Sequence, residues 1–319
     1  MFFQHKPAFY WKVLKDSVNR FADNSLFTNA AALSYYTIFS LPPILLVTIY
    51  TATAFYSKKE VEEAIFGEIS NLIGSESATQ LSDIIENAGA FDGGWITTAI
   101  SIGVLLFTST TVLITMQDTL NKIFEVKVVT EGWRGVLKLV RDRVLTFGFV
   151  IGFAFILLVS LIINAMIAAF AQRIEYFLGP LSTTLAFITS ELLSLTIIAV
   201  LFAAIFKWLP DAQIKWRDTL VGAIITAVLF TIGKVGISFY IGTSDPANMY
   251  DAAGGLIVLM VWVFWASIIF FFGACYTYSR IEMSGDKAAA IEYAVKVKTL
   301  EVEVDSEDGE TIIEKEKLK

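Results

Sequence analysis

The sequence predicts an all-α integral membrane protein, and three observations predict it. Only 17% of its 319 residues are charged while 55% are hydrophobic, well short of the roughly 25% charged residues of a soluble domain. Mean hydropathy is +0.65. Six apolar stretches, near 28–56, 94–117, 144–170, 181–206, 219–242 and 253–279, each reach the roughly 20 helical residues that cross a hydrocarbon core about 30 Å thick. Helices are expected because the bilayer offers no partner to an unpaired backbone group. The alternative, a soluble bundle with one very large core, needs polar helix faces that these runs lack. The 26 Phe residues suit lipid contact and aromatic packing.

Taken in order, residues 1–27 form an N-terminal segment in which Tyr10, Leu14, Val18 and Phe21 recur at helical spacing over 8–22. An amphipathic helix in the headgroup plane, anchored by Trp11, Lys12 and Lys15, fits this pattern; a helix packed on the bundle fits it equally. The transmembrane domain spans 28–279. Its first helix carries Pro42-Pro43 near its middle, after Ser34, Tyr35, Tyr36, Thr37 and Ser40. Two prolines remove two amide donors and clash with the preceding turn, so a break or kink is expected there. The loop 57–93 reads as a small acidic helical cap on the outer face. Val61, Ile65, Ile69 and Leu72 share one face of a first helix, and Leu81, Ile84 and Ile85 mark a second. The tail 280–319 is charged: 286–294 are compatible with an extension of the last helix, and the stretch around Asp308-Gly309 with a hairpin or disorder.

The distribution of Lys and Arg orients these spans. Twenty fall on the N-terminal segment, the second and fourth connections and the tail, against three on the opposite side (Lys58, Lys59, Arg173). Basic residues favour the cytoplasmic side, so both termini are expected in the cytoplasm of a bacterial inner membrane.

Soluble-enzyme chemistry finds little material. Cys275 and His5 are the only Cys and His, which excludes an intrachain disulfide, thiolate zinc clusters and histidine pairs. No phosphate-binding glycine loop or metal spacing is present, so no cofactor, metal or catalytic residue is expected. With a net charge of −7, nucleic acid is not an expected partner either.

Polar residues at lipid depth are more informative. Glu191 lies within the fourth span and Lys234 within the fifth, and both fall roughly 12–15 Å below the outer helix ends. An intramembrane ionisable group is costly enough to mark function by default. The two are expected to line one polar cavity, as a salt bridge or as coupled sites. A register-fixing pair, or a snorkelling Lys234, is the structural alternative. Gly148 with Gly152, Gly222 with Thr226, and Gly233 with Gly236 point to close helix approach.

Four segments carry a family resemblance: AAALSYYTIFSLPPILLV at 30–47, TLNKIFEV at 119–126, LPDAQIKWRDTLVGAIITAVLFTIGK at 209–234 and YDAAGGLIVLMVWVFWASIIFFFGA at 250–274. Together they resemble the YihY/virulence factor BrkB family, once named as a ribonuclease BN. The resemblance implies a six-helix inner-membrane protein with a transporter-like role toward lipid or lipid-linked molecules. Its matched positions are Ser34, Tyr35, Pro42, Pro43, Trp216, Arg217, Gly222, Lys234, Tyr250, Gly254 and Gly255. Where many relatives read Gly-Ala-Glu, this chain has Gly273-Ala274-Cys275.

The expectation is a transporter or flippase of an amphiphilic or lipid-like substrate, with a pathway formed by Glu191, Lys234, Ser34, Tyr35, Pro42 and Pro43. Alternatives are a non-catalytic envelope scaffold and, third, a membrane-embedded enzyme; the ribonuclease name finds no support in an acidic chain. Expected partners are membrane lipids, with self-association and unidentified protein partners left open.

Overall fold

The fold was read from a computed structural model that describes residues 7–53, 56–73, 78–79, 82, 111–128, 148, 180–244, 254–285, 289–290 and 294–297. Among the described residues, three helices are long and apolar enough to cross a membrane: α5 (Pro180–Trp208), α6 (Trp216–Ser244) and α7 (Gly254–Met283). They match the fourth, fifth and sixth predicted spans to within four residues. At about 1.5 Å per residue the 29-residue α5 and α6 measure about 44 Å, the full bilayer with its headgroups. The third span, most of the second, the second cap helix, Tyr250 and the tail beyond 297 lie outside the described residues.

Helix α1 (Pro7–Asp23) leads through Asn24-Ser25 into α2 (Leu26–Ala52). Ser25 adopts a left-handed φ of 53°, which turns the chain between the helices. The face that α1 buries is Val13, Ser17 and Phe21, whereas Leu14 and Val18 from the expected apolar stripe stay exposed with Trp11. Ser17 can turn inward because its hydroxyl donates to the Val13 carbonyl at 2.6 Å. The helix therefore packs on α7 through one face and leaves an apolar line uncovered on another.

No break occurs at Pro42-Pro43: α2 is one helix from Leu26 to Ala52. The missing amides affect only the carbonyls of Ile38 and Phe39, and the turns below are braced by Thr37 and Ser40 hydroxyls donating to the Leu33 and Tyr36 carbonyls at 2.8 and 2.9 Å. Helix α3 (Lys58–Ile73) begins with a capping box: the Ser57 amide donates to Glu60 Oε2 at 3.0 Å while the Glu60 amide donates to Ser57 Oγ at 3.4 Å. Val61 and Ile65 pack on Ile49 of α2, as the sequence pattern anticipates.

Helix α4 covers 111–123 and ends the second predicted span. Beyond it lie β1 (Val126–Val128), β2 (Ala212–Gln213) between α5 and α6, then β3 (Ala289–Ala290) and β4 (Ala294–Lys296) after α7. The expected extension of the last helix over 286–294 is not made. Gly285 at φ 75° stops α7, its amide donating to the Glu282 carbonyl at 3.2 Å, a left-handed stop that glycine adopts without steric cost. The chain then returns as two short strands, β3 antiparallel to β2 and β4 antiparallel to β1.

Helix α7 is central: α1, α2 and α6 all pack on it, and α5 packs on α6. Two Gly-x-x-x-Thr steps interlock the α6–α7 crossing. A Cβ on Gly222 would stand 1.8 Å from Thr277 Oγ1, and one on Gly273 would stand 1.9 Å from Thr226 Oγ1. Each threonine hydroxyl donates back to the glycine carbonyl of its own helix, at 2.7 and 2.8 Å. No polar group is stranded where the backbones meet. Gly233 also sits under a side chain, Ile269, whereas Gly236 meets no atom within 4 Å among the described residues; Gly152, the expected companion of Gly148, lies outside them.

Candidate functional site

The described residues separate into a basic end and a far end. At the basic end α1, α4, β1 and the α5–α6 turn converge on one apolar cluster that includes Phe21, Leu120, Phe124, Phe206, Phe271 and Tyr278, and the tail strands join it by pairing with β1 and β2. The four Lys/Arg-rich segments thus lie together, as the charge count requires of segments on one side. Trp208 and Trp216 mark the level of this end: both are about half exposed, their rings meet edge to face at 5.7 Å, and Lys207 Nζ lies 5.5 Å from the Trp216 ring. Exposed tryptophan beside lysine is the composition of a membrane interface.

Three polar networks join the segments there. Asp211, fully buried, accepts from Asn121 Nδ2 at 2.9 Å and Gln117 Nε2 at 3.2 Å, while its own amide donates to Asn121 Oδ1 at 2.7 Å. Arg280 of α7, 2% exposed, donates to Asp218 in the first turn of α6 at 2.5 Å. Arg20 of α1 reaches Asp16 at 2.7 Å, Glu125 at 3.0 Å and Glu282, and its guanidinium lies 4.6 Å from the Tyr278 ring. Burial acts to lower the Arg20 pKa, but the hydrogen bond and charge of Asp16, with Glu282 and Glu125, more than offset it and hold the pKa above the ordinary arginine value. Glu125 has a left-handed φ of 54°, a conformation that costs a non-glycine residue roughly 1–2 kcal/mol. Its carboxylate is held by Arg20 and by the Tyr278 hydroxyl at 2.8 Å, and its carbonyl accepts from the Val297 amide of the tail at 2.8 Å. Lys296 lies 5.4 Å from the other participant, the Tyr278 ring.

The far end differs. Glu191 is exposed on α5 and Lys234 half-buried on α6. Seventeen residues separate Glu191 from Trp208 and eighteen separate Lys234 from Trp216, so both lie about 26–27 Å above the tryptophan level. They stand about 15–17 Å short of the far ends of α5 and α6, and so inside a hydrocarbon core about 30 Å thick. No ion pair joins them, and among the described residues neither has a hydrogen-bond or salt-bridge partner.

The structure brings α5 and α6, and hence the Glu191 and Lys234 helices, into direct packing. Ser34 and Tyr35 lie elsewhere, on α2 against α7: Ser34 is buried with its hydroxyl on the Ala31 carbonyl at 2.8 Å, and Tyr35 is exposed with its ring 5.2 Å from Phe39. Pro42-Pro43 also belong to α2, sixteen and seventeen residues from its start at Leu26 and so about 24–26 Å along it. Of the other motif positions, Trp216 and Arg217 are exposed at the basic end, Gly222 forms the interlock, and Gly254 and Gly255 are buried at the start of α7. Cys275 is fully buried in the apolar cluster. Sequence reasoning missed the basic-end networks entirely. Their one signal was that Asn121, Asp211 and Asp218 fall inside the quoted motifs.

Comparison with known proteins agrees with this picture. The family model described as virulence factor BrkB matches residues 17–292. A UPF0761 membrane protein of Rhodospirillum centenum is 28% identical over 285 residues, covering 88% of this chain and 60% of the relative. One of Ralstonia nicotianae is 24% identical over 265 residues, 81% of this chain and 56% of the relative. One of Pseudoalteromonas atlantica is 26% identical over 268 residues, 81% of this chain and 82% of the relative. The chain therefore spans less than two thirds of the length of the first two. No solved structure matches. The chain belongs to the virulence factor BrkB family of membrane proteins.

Proposed function

We propose that this BrkB-family chain moves an amphiphilic, lipid-like molecule across the bacterial inner membrane, with its basic end in the cytoplasm. One observation carries the reading: Glu191 and Lys234 are two charges on packed helices, at similar distances from the far helix ends, and neither has a partner among the described residues. A charge there costs about 2.5–3.5 kcal/mol on insertion scales unless water or a bound partner meets it. Structural ion pairs neutralise each other, and these do not. Glu191 and Lys234 would receive the polar part of the substrate, and its apolar part would stay in lipid. The polar stretch of α2 (Ser34, Tyr35, Pro42, Pro43) would supply a second wall on the other side of α7. The basic-end networks would hold the cytoplasmic side closed. Chemistry on the substrate forms no part of this reading.

The interlocked α6–α7 crossing favours a second reading, a rigid envelope scaffold. Reconstitution separates the two. The full chain in liposomes carrying a headgroup-labelled fluorescent phospholipid should expose the label to a membrane-impermeant quencher faster than protein-free liposomes do. Lys234→Ala should slow the exposure by about tenfold, the equivalent of 1.4 kcal/mol. Equal rates with and without protein, for lipids of every headgroup charge, would leave the scaffold.

A further inference from the structure

The far end also carries an unpartnered donor. Trp262 Nε1 on α7 is buried and has no hydrogen-bond partner among the described residues, although a buried indole N–H normally finds one. Its ring meets Phe230 of α6 edge to face at 5.9 Å, and Phe230 meets Phe202 of α5 at 5.7 Å. Phe230 thus lies where α5, α6 and α7 come together. Lys234 is one turn further along the same side of α6, since residues four apart are neighbours on a helix. Glu191 stands eleven residues from Phe202, three helical turns and within about 20° of the same face. Below, toward the basic end, Phe202, Phe206 and Phe270 stack at 5.4–6.2 Å.

The helix directions order the three polar groups. Side chains lean toward the N-terminus of their own helix. Helix α5 runs from the far end and α6 toward it, so Glu191 leans outward and Lys234 leans inward, toward Phe230 and Trp262. Two donors, one of them cationic, therefore sit below an anionic acceptor. A phospholipid headgroup in the outer leaflet has the same order, its phosphate below its amine.

From this order we infer that the far end holds a binding site for a zwitterionic, amine-bearing phospholipid headgroup, with Lys234 and Trp262 on the phosphate and Glu191 on the ammonium. The assignment rests on the transport reading for its physiological purpose and names the substrate class of that same site. It also explains why two opposite charges on adjacent helices leave each other unpaired: the headgroup carries the complement of both.

Native mass spectrometry of the full chain, offered phosphatidylethanolamine and phosphatidylglycerol in equal amounts, tests the site without requiring transport. Phosphatidylethanolamine should be retained in preference by about tenfold, the discrimination expected of one charge-assisted hydrogen bond. Glu191→Gln should abolish that preference while phosphatidylglycerol still binds, and Trp262→Phe and Lys234→Gln should weaken both lipids. Equal retention of the two lipids by the unaltered chain, or an unchanged preference in Glu191→Gln, overturns the assignment. So does free phosphoethanolamine binding as tightly as the lipid, which would make the site one for a soluble zwitterion. Selective retention without any flux in liposomes would sink the transport reading and leave the headgroup site standing.

Discussion

The two ends of this bundle treat polar groups in opposite ways. At the basic end, Asp211, Asp218, Arg280 and Glu125 are buried or half-buried and each has a partner from another part of the chain. At the far end, Glu191 and Lys234 sit on neighbouring helices with none among the described residues. Both arrangements cost desolvation, but only the first recovers it within the fold. A buried charge that is paired specifies how segments dock, whereas an unpaired one at lipid depth is retained for something that comes and goes. The far end should therefore be tolerant in stability and sensitive in function, and the basic end the reverse.

The largest stability effect is expected where the pairing is most buried. Arg280→Met leaves Asp218 uncompensated and should cost about 3–5 kcal/mol, read as a lower unfolding midpoint in detergent. Adding Asp218→Leu to it should recover much of the loss. Gly222→Val drives a side chain into Thr277 and should cost at least about 1–3 kcal/mol by overpacking; Thr277→Ala in the same chain should soften the effect. Asn121→Leu removes two bonds to Asp211 and should cost about 1–3 kcal/mol, the penalty for a buried polar group left short of partners.

A smaller effect concerns pH and α3, on the far side of α2. The amide and hydroxyl of Ser57 hold the Glu60 pKa below its ordinary value. A depressed carboxyl contributes stability above its unfolded pKa of about 4.3 and loses it as pH falls through the folded value. The protection of the first α3 amides, measured relative to their intrinsic exchange at each pH, should fall below about pH 4, and Glu60→Gln should remove most of that dependence. Glu191→Gln and Lys234→Gln should cost no stability at all, leaving the unfolding midpoint unchanged or raising it, because each removes a charge that the fold does not compensate. A loss approaching that of Arg280→Met would erase the contrast between the ends.

How much of this was legible beforehand follows from the range of the interactions. Spans four to six are near-uniform apolar runs, and a local average finds them. The side on which the basic segments gather was legible from charge alone. The packed face of α1 was not, because Ser17 satisfies its own hydroxyl and is buried in place of Leu14. The uninterrupted α2 was not legible either, since proline predicts a lost bond but not how well the neighbouring turns hold. The basic-end networks join residues 90 and 62 positions apart, and nothing in a local window points from Asn121 to Asp211. The tail strands were hidden similarly: two and three residues carry no pattern, and their partners lie far back in the chain. At the far end, the sequence placed both charges within apolar runs, but that neither they nor the Trp262 donor has a partner among the described residues needed coordinates.

The separation of roles is tested most directly by lipid flux per folded molecule in liposomes, for Lys234→Ala against Asn121→Ala. The account predicts that Lys234→Ala keeps its unfolding midpoint and loses about tenfold in flux, while Asn121→Ala unfolds earlier but, below its midpoint, transports within about twofold of the unaltered chain. Undiminished flux in Lys234→Ala alongside abolished flux in folded Asn121→Ala would contradict it and place the working site at the basic end.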